Sequence, residues 1–235
     1  FKKKHYRPDN TVLAIAGQFD MAAFREMAER LLGGWHAEGE THIPAPVEST
    51  KPRMLTRKKD IEQVHMCLAF PGVEQDNDAL YPISVMNNLF GGGMSSRLFQ
   101  TVREKHGLCY SIGSFTAAYK ETGMLAISTA VGRDSEEKAL ALIREEIEKF
   151  RQDGITDKEL RTARELIKSS IILSLESSSS RMNQLGSGLL LLGKCLTADE
   201  IIERYDAVTT ESVLALAREK LAPEMMGFSA VGRLA

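Results

Sequence analysis

At 235 residues, with 43% hydrophobic side chains, the chain has material for one large domain or for one domain plus part of another. Its 30 basic and 32 acidic residues are interspersed and leave a formal charge of −2, so no field of one sign is available to recruit nucleic acid or an anionic membrane. No apolar stretch approaches the roughly 20 residues needed to cross a bilayer; the greasiest run, Leu189 to Leu192, is bounded by Gly188 and Gly193, and a soluble protein is expected.

The chain opens with Phe1-Lys2-Lys3-Lys4 rather than Met and shows no signal-peptide pattern, which suggests a piece of a longer polypeptide. Thr11 to Gly17 is a short apolar run with the character of a buried strand, and Asp20 is placed to cap an amphipathic helix reaching Leu32. Residues 37–52 carry Pro44, Pro46 and Pro52 among Glu, Thr and Ser, an extended linker. A boundary is therefore expected there: 1–36 as a strand and helix ending a preceding domain, 37–52 as linker, and 53–235 as a second domain.

In that second part, Ile61 to Phe70 is strand-like and Ala79 to Phe90 has helical spacing that ends at Gly91-Gly92-Gly93. Ser95 or Ser96 is expected to cap a helix running to about His106, and the glycine run to supply a turn that needs positive φ. Leu108 to Thr116 and Thr122 to Val131 follow as two alternating strands. Capping-box spacing then marks three helix starts: Asp134 with Glu137, Thr156 with Glu159, and Thr197 with Glu200. Ser177 to Ser180 reads as a bend between helices, Thr210 to Leu221 as a helix and Gly227 to Val231 as a last strand. Val12 to Gly17 echoes Phe228 to Gly232, as a duplicated domain would. The fold class expected is α+β, a mixed and largely antiparallel sheet flanked by helices.

Catalytic motifs are scarce. Neither His-Glu-x-x-His nor its inverse occurs. His36 and His42 lie close together with Glu38 and Glu40 between them, but in a Pro-containing segment that a metal would have to order, so no metal site is assigned. His65 reads as a sheet residue and His106 as a favourable cation at a helix end. Cys67, Cys109 and Cys195 are widely spaced among apolar neighbours, which suggests buried thiols in a reducing, cytoplasmic compartment. Gly-x-Ser-x-Gly is absent, and the glycine run lacks the Lys-Ser/Thr pair of a phosphate loop.

One segment carries a chemical possibility. Arg103 falls in the last turn of a helix and Tyr110 early in the next strand, joined by a tight turn at Gly107, so their polar tips could converge. Such a pair can donate hydrogen bonds to a peptide carbonyl or a developing oxyanion. The competing reading is a solvated helix-end arginine beside a core tyrosine.

The runs Gly91-Gly92-Gly93-Met94-Ser95-Ser96-Arg97-Leu98-Phe99 and Arg103-Glu104-Lys105-His106-Gly107-Leu108-Cys109-Tyr110-Ser111 closely resemble the carboxyl-terminal halves of the pitrilysin, insulin-degrading-enzyme and mitochondrial-processing-peptidase family. The resemblance extends over nearly the whole chain, from Tyr6-Arg7-Pro8-Asp9-Asn10 through Gly154-Ile155-Thr156-Asp157 to Val208-Thr209-Thr210. It implies one half of a clam-shell peptidase, preceded by the last strand and helix of the other half. The zinc site belongs to that other half, on the same chain or on a partner subunit. Arg103 and Tyr110 would hold a peptide substrate and help stabilise its tetrahedral intermediate, while Gly91, Gly92, Gly93, Ser95 and Ser96 would shape the entry to the Arg103 helix. Arg97 is expected to pair with an acid on its own surface. The implied activity is hydrolysis of unfolded peptides in a closed chamber, with no zinc in this segment and a homodimer as a possible assembly. Two alternatives remain: a non-catalytic subunit that supplies the Arg/Tyr pair to a separate zinc-bearing chain, and a structural core-protein-like subunit.

Overall fold

The structure is a computed structural model and describes residues 1–37, 47 and 51–233. His42 and the Pro44–Pro46 part of the expected linker lie outside the described residues. Among the described residues there are eight α-helices and five strands: α1 Lys2–His5, α2 Met21–Leu32, β1 Met54–Lys58, β2 Gln63–Pro71, α3 Leu80–Phe90, β3 Cys109–Ala118, β4 Gly123–Gly132, α4 Glu136–Asp153, α5 Asp157–Ser174, α6 Ser178–Leu192, α7 Ala198–Asp206, α8 Thr210–Lys220 and β5 Gly227–Gly232. A π-helix, Phe99–Lys105, stands between α3 and β3. The fold is α+β.

The chain packs as two compact units, Phe1–Pro46 with Ser169–Ile201, and Val47–Lys168 with Ile202–Ala235. The second unit holds the sheet, in the order β1-β5-β2-β4-β3. The β1–β5 pair is parallel and every other pair is antiparallel. Strict alternation sets the buried face, because side chains two apart point the same way: along β2, Val64, Met66, Leu68 and Phe70 are buried while His65 is exposed. Ile83, Phe90, Ile143, Phe150 and Leu216 from α3, α4 and α8 complete that core.

The first unit is built differently. Among its described residues only Arg7 is buried, in a two-pronged pair with Asp9. Asp20 caps α2 by accepting from the Ala23 amide at 2.8 Å, as its position before the apolar run predicts. Residues 11–17, expected as a buried strand, form no strand, and Leu13 is 58% exposed. An apolar run becomes a strand only when a sheet edge pairs its backbone, and none of the five strands does so here.

Other differences are local. β1 was not foreseen, since all five of its residues are exposed and carry no alternating apolar signal. Asp134 adopts φ of 63° and α4 begins after Ser135 without a side-chain cap, so the Asp134–Glu137 box does not form. The Thr156–Glu159 and Thr197–Glu200 boxes do form, each with the Glu accepting from the Thr amide and the Thr hydroxyl accepting from the Glu amide. A further box, Thr209 with Ser212, was missed because Ser stands where Glu or Gln is usual. Ser177 caps α6 through the Ser180 amide, which makes 177–180 the expected helix junction.

The expectation that Gly91 to Gly93 serve a positive-φ turn is corrected. None of the three has positive φ, and Gly91 sits at −152°. What Gly91 supplies is space. Its carbonyl accepts from the Ser114 amide of β3 at 2.9 Å, and a Cβ there would lie 2.5 Å from that nitrogen. The α3 carboxyl end is thereby pinned to the outer edge of the sheet. Gly91→Ala should destabilise the intact protein by about 1–3 kcal/mol, while Gly93→Ala, whose added methyl meets nothing within 4 Å, should stay within about 0.5 kcal/mol. Urea unfolding of both variants measures this, and equal losses would contradict the contact.

Candidate functional site

The stretch from Gly91 to Tyr110 departs from regular backbone three times, and each departure moves a side chain. After one short turn from Ser96 the chain widens into the π-helix, closed by a bond from the Leu108 amide to the Val102 carbonyl at 3.1 Å. Helices of this kind are rare and cluster at functional sites. The His106 ring places Nδ1 2.8 Å from the Thr101 carbonyl and so caps the helix end, the place expected for it. Gly107 then takes φ of +63°, a conformation that glycine adopts without steric cost.

The third departure is at Tyr110. Cys109 pairs with Val131 and Ser111 with Ala130, so Tyr110 is the extra residue of a β-bulge. A bulge re-aims the side chain it carries, and Tyr110 is 80% exposed rather than packed in the core. The reading of Tyr110 as a core residue is thereby excluded.

These irregularities bring Arg103 and Tyr110 together. The guanidinium carbon of Arg103 lies over the Tyr110 ring, 5.0 Å from its centroid, and over the Phe99 ring at 4.6 Å. The cation thus sits against ring faces, where the expectation had been two polar tips meeting. Among the described residues its only ion pair is a 3.7 Å contact with Glu104, whose side chain is more than half exposed. Such a pair contributes about 0–1 kcal/mol. Attraction to a ring quadrupole fixes a cation without occupying its N–H donors. Arg103 is therefore partly exposed, held in place, and still able to donate.

Arg97, one turn earlier, is the opposite case. It donates to the Gly154 carbonyl at 2.8 Å and to Glu159 at 3.0 Å, and it lies 4.6 Å from the centre of the Phe150 ring. Its donors tie the loop to the start of α5, and Glu159 is the acid partner that the sequence reading expected without naming it. Burial pushes the Glu159 carboxyl up, but hydrogen bonds from the Thr156 amide, Arg97 and the Thr156 hydroxyl outweigh it and hold the group below the usual carboxylate range.

Ser95 is exposed, and buried Ser96 donates its hydroxyl to the Gly93 carbonyl at 2.5 Å instead of accepting from a helix amide. Ser96 and Gly91 are buried, and Gly92 and Gly93 are exposed, although a Cβ on Gly92 would lie 2.8 Å from the Asn88 Cα. Sequence reasoning missed Phe99, which looks like one more core residue. Its spacing of four from Arg103 on one helical face was the available signal.

No group of three or more His, Cys, Asp or Glu is placed to share a cation among the described residues. Burial pushes the half-buried thiols of Cys67 and Cys109 up, which disfavours the thiolate at both. Cys195, expected to be buried, is exposed and directs its Sγ at the Leu185 carbonyl, 3.4 Å away.

The pair between Arg97 and Glu159 gives a signed expectation. Because the folded state lowers the Glu159 titration, the ionised group stabilises above the ordinary carboxylate range, and that contribution is lost as pH falls through the folded value. Glu159→Gln should cost roughly 1 kcal/mol at neutral pH, with the difference shrinking in acid. A penalty independent of pH in denaturant titrations would contradict this.

Comparison with known proteins identifies the family. Residues 1–167 match the family model described as the peptidase M16 inactive domain. The protein named zinc protease YmxG of Bacillus subtilis is 42% identical over 216 residues, which covers 92% of this chain and 52% of that protein. The chain spans about half the length of the curated relatives it matches. Among solved structures, a peptidase M16 inactive domain from Pseudomonas fluorescens superposes with a TM-score of 0.83 at 21% identity, covering 92% of this chain and 52% of that one. A chain of complex III from Candida albicans superposes at 0.80 with 17% identity, covering 92% and 54%. At those identities the structural likeness speaks to the fold alone. With the family model covering well over half of its residues, the chain belongs to the peptidase M16 inactive-domain family.

Proposed function

We propose that this chain is the substrate-binding, non-zinc half of a zinc-dependent endopeptidase that cleaves unfolded peptides within a closed chamber. The observation that carries the reading is the Arg103–Tyr110 pair: a guanidinium fixed by ring faces, 5.0 Å from the ring of a phenol that a bulge turns outward, with donors open on both. An extended peptide presents a carbonyl oxygen at every residue. Arg103 and Tyr110 would donate to one such oxygen in the bound substrate and more strongly to the oxyanion that forms during attack, since both groups are in place before the charge develops. Gly91, pinned to Ser114, and Ser96, bonded to Gly93, keep the loop that leads into the Arg103 helix in shape.

The zinc chemistry falls to another set of residues. That set is best sought in the same polypeptide, because the relatives named zinc proteases are about twice as long as this chain. The first unit supports this assignment. Residues 1–36 make a capped amphipathic helix and an apolar run without a core of their own, and they behave as the closing strand and helix of a preceding, zinc-bearing domain, with 37–52 as linker. Unpaired cysteines, one of them exposed, fit a cytoplasmic setting.

A second reading, a subunit that lends the pair to a separate zinc-bearing chain or serves as scaffold in a larger assembly, draws on the likeness to the complex III chain. A scaffold has no use for an exposed cation and phenol held together, and this favours the peptidase.

In the intact protein, Arg103→Ala should lower kcat/KM for a quenched fluorogenic peptide by roughly 100-fold. Tyr110→Phe should lower it by roughly tenfold, and neither change should shift the melting temperature by more than a few degrees because both side chains reach the surface. Wild-type kinetics in both variants would remove the proposed role. Metal analysis of the 235-residue chain on its own should find zinc at background, and a tight stoichiometric site would overturn the assignment of zinc to the other half.

A further inference from the structure

Arg103 lies over two rings that differ in how firmly they are held. Tyr110 is 80% exposed, so its ring is placed by the bulge and the cation and not by core packing. Phe99 is 8% exposed and belongs to the hydrophobic core with Val102, Ile112 and Val131. It is also the nearer of the two, at 4.6 Å against 5.0 Å. A long arginine side chain has many rotamers and needs a fixed reference to hold its head in one place. Glu104 cannot provide one, since its contact is long and solvent-exposed. Of the groups touching the cation, Phe99 alone is locked by packing.

We propose that Phe99 is a positioning residue for Arg103: its buried ring sets where the guanidinium sits, so that the N–H donors face the substrate backbone before the peptide arrives. Phe99 begins the π-helix and Arg103 follows four residues later on the same side. The inference rests on the substrate-gripping role proposed above for Arg103 and adds a residue that touches no substrate. It separates two demands on one segment, a core face that fixes geometry and a surface face that binds. Methionine has a similar volume and flexibility to fill the site but no ring face for the cation.

The test uses the intact protein and a quenched fluorogenic peptide. Phe99→Met should lower kcat/KM by roughly tenfold, with the same division between kcat and KM that Arg103→Ala shows. Phe99→Tyr, which restores the ring, should return the rate to within roughly twofold of wild type. The double variant Phe99→Met/Arg103→Ala should be no slower than Arg103→Ala alone, because a positioning residue acts only through the group it positions. Circular dichroism and thermal melting establish that each variant is folded, and Phe99→Leu replaces Phe99→Met if the latter is not. Losses that multiply in the double variant, a Phe99→Met enzyme at wild-type rate, or a Phe99→Tyr enzyme as slow as Phe99→Met would each overturn the inference. If Arg103→Ala is impaired and Phe99→Met is not, this inference fails and the reading of the site stands. If Arg103→Ala has the wild-type rate, or the intact wild-type protein hydrolyses no peptide, the reading of the site fails and this inference with it.

Discussion

A cation held by ring faces rather than by carboxylates keeps its hydrogen-bond donors, and the site described here depends on that distinction. Arg97 and Arg103 lie six residues apart in one segment and meet opposite fates. Arg97 has a carbonyl, a carboxylate and a phenylalanine ring around it, and it serves the fold. Arg103 has two rings and one distant, exposed acid. A strong carboxylate partner at Arg103 would have secured the side chain more firmly and taken its chemistry away.

The backbone beneath the pair is irregular where the pair needs it and regular elsewhere. A π-helix, a left-handed glycine and a bulged strand follow one another within a dozen residues. Behind them the sheet runs without a break in register from β5 through β2 to β4, and its buried face is filled by α3, α4 and α8. The π-helix and the bulge can persist there because a rigid core over-determines them, and the left-handed turn because it falls on a glycine. The bond from Ser114 to Gly91 belongs to the same arrangement, since it closes the outer edge of β3 beside the loop that feeds the π-helix.

Much of the fold was legible in the sequence, and the failures have a common cause. β3 and β4 declared themselves by alternation and β2 and β5 as short apolar runs, and α2, α5 and α7 because free amides at a helix start require an acceptor. β1 and residues 11–17 were misjudged in opposite directions: the first pairs without an apolar signal, the second has the signal without a partner. Strand pairing is a tertiary event and leaves no reliable local mark. Within the site, Arg103, Tyr110 and the turn at Gly107 could be picked out by spacing. The bulge and the π-helix could not, because one inserted residue changes the direction of a side chain without changing any residue type, and Phe99, though rightly spaced, reads as one more core residue. The Gly91 run was noticed for the wrong reason, since close approach and positive φ select the same residue.

If the account is right, this half of the molecule grips backbone, and the most direct measurement is a structure of the intact protein with an unfolded peptide bound under metal-free conditions that prevent turnover. The account predicts one peptide carbonyl oxygen within roughly 3 Å of both an Arg103 N–H donor and the Tyr110 hydroxyl, with the guanidinium still over the Phe99 ring. A peptide bound elsewhere, with Arg103 and Tyr110 facing only water, would contradict it.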